Sequence, residues 1–231
     1  MNAKIHELKR SFFLHRWWKQ WLHRQMDKHG AFMRFPPYGT GLHELATHTR
    51  DPVRLTTMAL AVHTVSRKNI PGSLAEVGVF RGDLSRVLRR LAPERKLYLF
   101  DTFEGFSHRD LEAPDERFKD TSLDRVKTMI GDLTKVIFRV GYFPDTAVGL
   151  EDERFSFVML DVDKYKPTLA GLEFFYPRLS PGGYMMIHDY HSPESDYAVS
   201  QAVEQFLADK PELLVAVADS GGSVLFRKQP R

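Results

Sequence analysis

The sequence predicts an α/β fold in which helices cover a mostly parallel β-sheet. Short apolar runs of strand length alternate with stretches of helical periodicity, a pattern typical of parallel sheets. Several of these runs stop abruptly at acidic residues, as strands do when their carboxyl ends border a binding site. The chain closes with a predicted hairpin, which makes the last strand antiparallel.

The amino-acid composition narrows the classes of protein to which this chain can belong. The 231 residues are 42% hydrophobic, which is enough to bury one large core. Cysteine is absent, which excludes disulfides and thiolate metal sites and fits a reducing compartment, so we expect a cytoplasmic protein. The small net charge of +3 argues against a nucleic-acid partner. Long apolar runs and signal-peptide features are missing, so we expect no transmembrane segment.

Residues 1–41 are predicted to form an N-terminal helical arm and linker, and residues 42–231 the main domain. Aromatic and aliphatic residues recur at helical spacing over residues 5–26 with basic residues between them, and residues 35–41 are rich in proline and glycine. One interpretation is peripheral contact with a membrane surface. We favour packing against the domain or a second subunit, because soluble amphipathic helices mostly bury their apolar stripe. We therefore expect a homodimer or higher homo-oligomer.

The main domain begins with a helix followed by a strand. Asp51 and Pro52 signal the helix start, and an apolar pattern continues until the breakers at residues 70–72. The apolar residues 74–77 are predicted to form the first strand of the sheet.

A glycine-containing turn follows this strand with the spacing E-x-G-x-x-x-G, from Glu76 through Gly78 to Gly82. Glycines let the backbone approach a ligand closely, and Asp83 and Ser85 are expected to cap the next helix. The spacing differs from the dinucleotide fingerprint G-x-G-x-x-G. An acid at this place repels pyrophosphate but attracts an ammonium or sulfonium group.

The second predicted strand, residues 96–100, ends in Asp101. An acid at this position is where a bidentate acceptor meets the two hydroxyls of a ribose. The acids after the first two strands therefore indicate an adenosine-containing cation as ligand. Residues 107–119 lack periodicity and are predicted to form a mobile loop over the cleft. A helix over residues 122–133 and a third strand over residues 136–140 follow.

The apolar residues 157–160 are predicted to form a buried strand that delivers Asp161 and Asp163 to a site. Side chains two positions apart on an extended chain point the same way, so both carboxylates are expected to face one pocket. The alternative is that Asp161 closes the strand and Asp163 caps a helix beginning near Thr168. A helix over residues 168–176 and a turn at residues 180–183 are predicted next. A strand over residues 184–187 then ends in His188 and Asp189, and a helix over residues 198–207 and a hairpin over residues 213–227 complete the chain.

Five motifs in order resemble the macrocin O-methyltransferase family, and the resemblance covers roughly the chain from Asp51 onward. The motifs lie at residues 70–82, 101–105, 160–168, 176–184 and 188–190. This resemblance implies a Rossmann-like class I methyltransferase sheet. It also implies transfer of a methyl group from S-adenosylmethionine to a hydroxyl of a small molecule, often a sugar of a natural product, assisted by magnesium.

The resemblance also implies roles for individual residues. Asp161, His188 and Asp189 would be metal ligands, and Asp163 the general base. Within the cofactor site, Glu76 would hold the methionine end, Asp101 the ribose and Phe103 the adenine side. The implied cofactor-binding residues are Glu76, Gly78, Phe80, Arg81, Gly82, Ser85, Asp101, Thr102, Phe103 and Asp161.

His188 departs from the family pattern, which usually has two adjacent aspartates where this chain has His188 and Asp189. Magnesium prefers oxygen ligands, whereas imidazole suits manganese, iron, nickel or zinc. The identity of the divalent metal, Mg²⁺ or Mn²⁺ or another, therefore stays open. A metal-free enzyme with His188 as the catalytic base is the alternative.

Two other functional classes compete with methyl transfer. One is a nicotinamide-dependent oxidoreductase on a similar sheet, which the missing G-x-G-x-x-G disfavours. The other is a membrane-peripheral binding module in which the aromatic arm is the working part. Acceptor pockets are built from loops, where residue patterns carry no code, so the acceptor itself is not predicted.

Overall fold

The computed structural model describes residues 51–111 and 115–230. The predicted N-terminal arm and its boundary at residue 41 lie outside these residues, so both stay predictions. Within the described ranges, no helix has the length and apolar character needed to cross a membrane.

Seven strands form one sheet in the order β3-β2-β1-β4-β5-β7-β6. Strands β1 to β5 pair in parallel, whereas β7 runs antiparallel to both β5 and β6. The strands are β1 (Ser73–Val77), β2 (Leu97–Asp101), β3 (Val136–Val140), β4 (Phe155–Leu160), β5 (Leu179–Ile187), β6 (Val215–Ala216) and β7 (Val224–Arg227). The predicted α/β sheet with an antiparallel C-terminal hairpin is confirmed.

The described residues contain five α-helices, and two of them begin at the expected signals. Asp51 accepts a hydrogen bond from the backbone N–H of Arg54, and Pro52 is the first helical residue. Ser122 accepts one from the backbone N–H of Arg125. The helices are α1 (Pro52–Arg67), α2 (Asp83–Leu91), α3 (Leu123–Ile130), α4 (Tyr165–Phe175) and α5 (Ala198–Leu207).

Both faces of the sheet are covered, which explains why its central strands read as continuous apolar runs. On one face, buried residues of α1, α2 and α3 pack against alternate side chains of β1, β2 and β4. On the other face, α4 and α5 pack against the intervening side chains. Every residue of β1 and β4 is buried, including the acid Glu76. An ionisable side chain in such a strand needs a specific partner.

Three predicted boundaries are wrong, each for a local reason. Helix α4 begins at Tyr165, before the expected Thr168, because Pro167 is tolerated in a first turn, where its missing N–H is not needed. Helix α3 stops at Ile130, because Gly131 takes a positive φ of 78°. The predicted turn at residues 180–183 lies inside β5, where the pairing with β4 shifts register and the extra residues bulge.

Candidate active site

A cavity of about 380 Å³ lies at the carboxyl ends of β1, β2, β4 and β5. Parallel strands deliver their terminal side chains to one edge of the sheet, so residues distant in sequence meet there. Ten predicted site residues line the cavity, namely Glu76, Gly78, Phe80, Arg81, Asp101, Thr102, Asp161, Asp163, His188 and Asp189. The structure therefore brings the predicted cofactor end and the predicted metal end into one space.

Glu76 is the buried acid of β1, and Ser85 is its partner. The Ser85 hydroxyl donates a hydrogen bond of 2.5 Å to Oε2 of Glu76. Burial raises the pKa of Glu76 to about 8. The hydrogen bond from Ser85 lowers this pKa, whereas the negative charges of Asp161 and Asp101 raise it. Without a cation beside it, the carboxyl group of Glu76 is therefore mostly protonated and uncharged at neutral pH.

The roles predicted for Ser85 and Asp83 as helix caps are wrong. The capping position of α2 is Gly82, at φ 80°, which offers no side chain. Ser85 is fully buried and faces Glu76. It is not one of the described residues that line the cavity. Its link to a cofactor would pass through Glu76.

Asp101 holds the turn after β1. Its Oδ2 accepts the backbone N–H groups of Val79 and Phe80 at 2.6 and 2.9 Å, and its Oδ1 accepts that of Phe103 at 2.7 Å. Two carboxylate oxygens offer about four lone pairs, so three are already engaged. Asp101 lines the cavity as predicted, but its carboxylate has room for one further donor, not for a bidentate contact.

The two glycines of the turn serve the packing of the sheet and helix. A Cβ atom on Gly78, at φ 87°, would lie 1.8 Å from the backbone oxygen of Asp161. A Cβ atom on Gly82 would lie 2.9 Å from Val126, and Gly82 is not part of the cavity wall among the described residues. Gly78 is therefore needed for the approach of β4 to β1 as well as for ligand access.

Phe103 lies in the core and is not among the described residues that line the cavity, so the structure does not support its predicted place beside adenine. It is 5% exposed and packs against Phe138 of β3. The backbone of Phe103 has φ 56°, which turns the chain back over β2. Its aromatic character alone could not distinguish a core position from a ligand contact.

Sequence reasoning missed the aromatic wall that the loop after β2 contributes. Phe106 and Phe118 line the cavity, and their rings meet edge to face, with centroids 5.2 Å apart. Tyr142, just after β3, lines it too and donates a hydrogen bond of 2.7 Å to Asp110. Ser107, Asp110 and Phe118 of the predicted loop line the cavity, while the predicted mobility of the loop stays a prediction. The aromatic residues around this loop were the signal that could have identified the wall.

His188 lies between two carboxylates. Its Nδ1 is 3.0 Å from Oδ1 of Asp161 and 3.1 Å from Oδ2 of Asp189, while Nε2 is 2.7 Å from the backbone oxygen of Ser220. A carbonyl can only accept, so Nε2 donates, and in the neutral ring Nδ1 then carries the lone pair. Burial opposes protonation of the ring, but the charge of Asp161 and contacts with Asp161 and Asp189 outweigh it and raise the pKa of His188 to about 11.

The residues present fit a divalent cation. Ligand atoms of Asp161, His188 and Asp189 lie within 4.8 Å of one another. The buried Nδ1 of His188 has ion-pair distances but no properly directed hydrogen bond within the part of the chain that the structure describes. A metal-ligating histidine usually donates its other N–H to a carbonyl or carboxylate, as Nε2 does here. One nitrogen and two carboxylates form a donor set that manganese and similar metals accept.

Asp163 faces the same cavity as Asp161, as predicted, but for a different reason. Strand β4 ends at Leu160, and Asp163 reaches the cavity through a left-handed backbone conformation at φ 57°. The alternative that Asp163 caps α4 is wrong, because the capping position is Lys164 and no side chain caps it. The pKa of Asp163 is raised to about 8. Burial is the largest cause, and the negative charge of Asp161 and a hydrogen bond with Asp189 raise it further.

Arg54 is a site residue that the sequence did not reveal. It lies in the first turn of α1 and lines the cavity, and its Nη1 donates to Oδ2 of Asp161 at 3.0 Å. The two residues are 107 positions apart. A single arginine one turn into a helix gives no local signal of such a contact.

Comparisons with known proteins agree with this architecture. A family model for macrocin-O-methyltransferase (TylF) matches residues 38–213. The chain is 30% identical over 182 residues to 8-demethyl-8-(2,3-dimethoxy-alpha-L-rhamnosyl)-tetracenomycin-C 4'-O-methyltransferase of Streptomyces olivaceus, covering 66% of this chain and 69% of that protein. It is 30% identical over 169 residues to Mycinamicin III 3''-O-methyltransferase of Micromonospora griseorubida, covering 64% and 66%.

A solved structure shares the fold. The O-methyltransferase NovP superposes with a TM-score of 0.67 at 24% sequence identity, covering 78% of this chain and 81% of that one.

Proposed function

The chain belongs to the macrocin O-methyltransferase family, and from this premise we propose that it transfers the methyl group of S-adenosylmethionine to a hydroxyl of a small molecule. Two relatives are named as O-methyltransferases of a rhamnosyl-tetracenomycin and of mycinamicin III. The proposed acceptor is accordingly a hydroxyl on a sugar or another part of a natural product.

The observation that carries this proposal is the shared cavity. One end presents Glu76 and Asp101, which complement an ammonium group and a ribose, and the other end presents Asp161, Asp163 and His188. A methyl donor and a hydroxyl acceptor must meet in line with little freedom, and a single cavity that holds both supplies that alignment.

Asp163 is the proposed general base. In the transfer, the acceptor oxygen bonds to the methyl carbon as the carbon–sulfur bond breaks, the sulfur keeps the electron pair, and the hydroxyl proton must leave. Burial raises the pKa of Asp163 to about 8, which gives its ionised form the proton affinity that a base needs, and a cation held by the neighbouring Asp161 would favour that ionised form. Asp189 is a neighbour of Asp163 and contributes to its raised pKa.

We also propose that Asp161, His188 and Asp189 hold a divalent cation. Such an ion, when bound, would lower the pKa of a nearby hydroxyl and favour the ionised carboxylates. The chain's own contribution is the arrangement of the three ligand atoms and the Ser220 carbonyl that fixes the tautomer of His188. Magnesium is the ion expected from the family resemblance, and the imidazole nitrogen favours manganese.

A nicotinamide-dependent oxidoreductase is the weaker alternative. A pyrophosphate would need free amide groups in the turn after β1, but Asp101 already accepts the amides of Val79 and Phe80, and the buried acid Glu76 lies in β1 just before that turn. Both features oppose a diphosphate and favour a cation.

The test is transfer of an isotopically labelled methyl group. Purified protein is incubated with labelled S-adenosylmethionine, Mg²⁺ or Mn²⁺, and a panel of deoxysugar-bearing natural products with matching O-methylated controls. We expect label in at least one acceptor that has a free sugar hydroxyl and none in its O-methylated counterpart. Label in both, or a reaction that needs NADH, argues against O-methylation.

Residues 5–26 enter this proposal as a cover for the acceptor side or as a subunit contact in a cytoplasmic homo-oligomer. The apolar stripe that the sequence predicts over residues 5–26 would expose a large hydrophobic patch unless another protein surface covered it. Deletion of residues 1–35 should change oligomeric mass or acceptor affinity and leave cofactor binding intact, as gel filtration and titration would show.

A further inference from the structure

Arg54 divides the two oxygens of Asp161 between different partners. Its guanidinium holds Oδ2 at 3.0 Å, while Oδ1 lies 3.0 Å from Nδ1 of His188. The same Nδ1 lies 3.1 Å from Oδ2 of Asp189. The oxygen of Asp161 on the side of the other two ligand atoms is therefore Oδ1, and Oδ2 is turned away from them and occupied.

We propose that Arg54 is a positioning residue that restricts Asp161 to one metal-facing oxygen, and that it thereby selects small divalent cations against calcium. The inference rests on the proposed metal-assisted function and adds a residue that sets ion preference. Calcium takes six to eight oxygen ligands and readily accepts bidentate carboxylates, whereas magnesium demands six ligands at short distances. A carboxylate with one oxygen tied to a guanidinium suits the smaller ion.

The position of Arg54 is fixed by the start of α1. The backbone N–H of Arg54 donates to Oδ1 of Asp51 at 3.0 Å, and Oδ2 of Asp51 accepts the backbone N–H of Ser220 at 2.8 Å. The carbonyl of Ser220 in turn accepts from Nε2 of His188 at 2.7 Å. The side chain of Asp51 thus accepts hydrogen bonds both from Arg54, which contacts Asp161, and from Ser220, which contacts His188. The positions of Asp161 and His188 therefore depend on the same residue.

Burial makes this contact persistent. The side chains of Arg54 and Asp161 are 22% and 21% exposed, and an ion pair screened from solvent on most sides is weakened less by salt than a surface pair. Only a guanidinium offers several donors in a rigid plane, so a lysine at this position would hold Asp161 less firmly.

The test compares metal affinities with Mg²⁺ and Ca²⁺ as the probes. The metal-stripped full chain and its Arg54→Met and Arg54→Lys variants are titrated with each ion alone by calorimetry. In Arg54→Met the Ca²⁺ to Mg²⁺ affinity ratio should rise by about tenfold, the lower end of the affinity changes seen when an outer partner of a metal ligand is removed. Arg54→Lys should give a smaller rise, and Arg67→Met, on an exposed position of the same helix, none.

A purely structural role for Arg54 predicts that both affinities change alike, so an unchanged ratio in Arg54→Met overturns the proposal. A wild-type protein that binds Ca²⁺ more tightly than Mg²⁺, or binds neither, overturns it as well, even if the variants fail to fold. S-adenosylmethionine is titrated into the same samples. If its binding survives while the metal result fails, this inference falls and the proposed methyl transfer remains.

Discussion

The two ends of the cavity are built in different ways. At the cofactor end, the carboxylate of Asp101 is held by three backbone N–H groups, and Glu76 by the buried hydroxyl of Ser85. At the acid-rich end, charged side chains hold one another, with Asp161 in contact with both Arg54 and His188. The first end is therefore fixed by the path of the main chain, whereas the second depends on the identity of each side chain.

This difference predicts how each end of the cavity responds to substitution. A backbone-held carboxylate keeps its position when neighbouring side chains vary. A network of ionic side chains changes its charge and its available ligand atoms with every substitution. Substitutions at the acid-rich end should therefore affect catalysis and metal preference, and those at the cofactor end affinity and stability.

The largest effect is expected from Asp163→Asn, which preserves shape and removes the proposed base. Turnover should fall by about two to four orders of magnitude while cofactor affinity stays within a few-fold. Steady-state kinetics and cofactor titration measure the two quantities. Asp196→Asn is the matched control, because Asp196 is exposed and has the same left-handed backbone conformation, at φ 52°. Near-normal turnover in Asp163→Asn would remove Asp163 from the mechanism and leave His188 as the base.

The next effect concerns the main chain at the cofactor end. In Gly78→Ala the new Cβ atom would lie 1.8 Å from the backbone oxygen of Asp161, so unfolding free energy should fall by roughly 3 kcal/mol or more. Gly149→Ala is the control, because Gly149 has a similar φ of 82° with nothing within 4 Å of a Cβ. It should cost only about 1–2 kcal/mol of backbone strain. Equal losses in urea unfolding would show that the approach of β4 to Gly78 is not tight.

Glu76→Gln should weaken cofactor binding by about ten- to a hundredfold above pH 8, because the ammonium group loses its charged partner. In the wild type, affinity should rise as the pH passes through about 8, where Glu76 ionises, and this rise should vanish in Glu76→Gln. Calorimetric titrations between pH 6 and 9 measure it, with the exposed Glu104→Gln as control.

The same variant tests the stability linkage without cofactor. The pKa of Glu76 is raised from 4.5 to about 8 in the folded state, so its contribution to stability is complete below pH 4.5 and is lost as the pH rises through 8. The melting temperature of the wild type should therefore fall more steeply over that interval than that of Glu76→Gln. Parallel curves would contradict a buried neutral carboxyl group.

The smallest effect is a change in metal preference. His188→Asp replaces an imidazole nitrogen with an oxygen, so affinity for Mg²⁺ relative to Mn²⁺ should rise by about tenfold. Titration of the metal-stripped protein with each ion measures the ratio, and the exposed His108→Asp serves as control. Wild-type activity that survives thorough chelation unchanged would refute the metal role.

The same contrast between main chain and side chains determines what the sequence could predict. The order of strands and helices followed from periodicity, and the placement of Glu76, Asp101, Asp161 and Asp189 followed from the rule that parallel strands end at one edge. The contact of Arg54 with Asp161 could not be predicted, because it joins elements 107 residues apart through one side chain.

Roles that depend on tertiary neighbours were predicted less well. Ser85 was expected at a helix cap and instead bonds Glu76, and Phe103 was expected at adenine and instead packs on Phe138. In both cases the residue type suited either role. A residue with a left-handed backbone conformation turns the chain at each place and so decides the role: Gly82 before Ser85, and Phe103 itself.

The central claim is that this cavity recognises an adenosine-bearing cation and not a dinucleotide, and titration calorimetry with both ligand classes tests it most directly. We expect one-to-one binding of S-adenosylmethionine and of its demethylated product, with no heat from NADH or NADPH under the same conditions. Tight binding of NADH together with no heat from S-adenosylmethionine would contradict it.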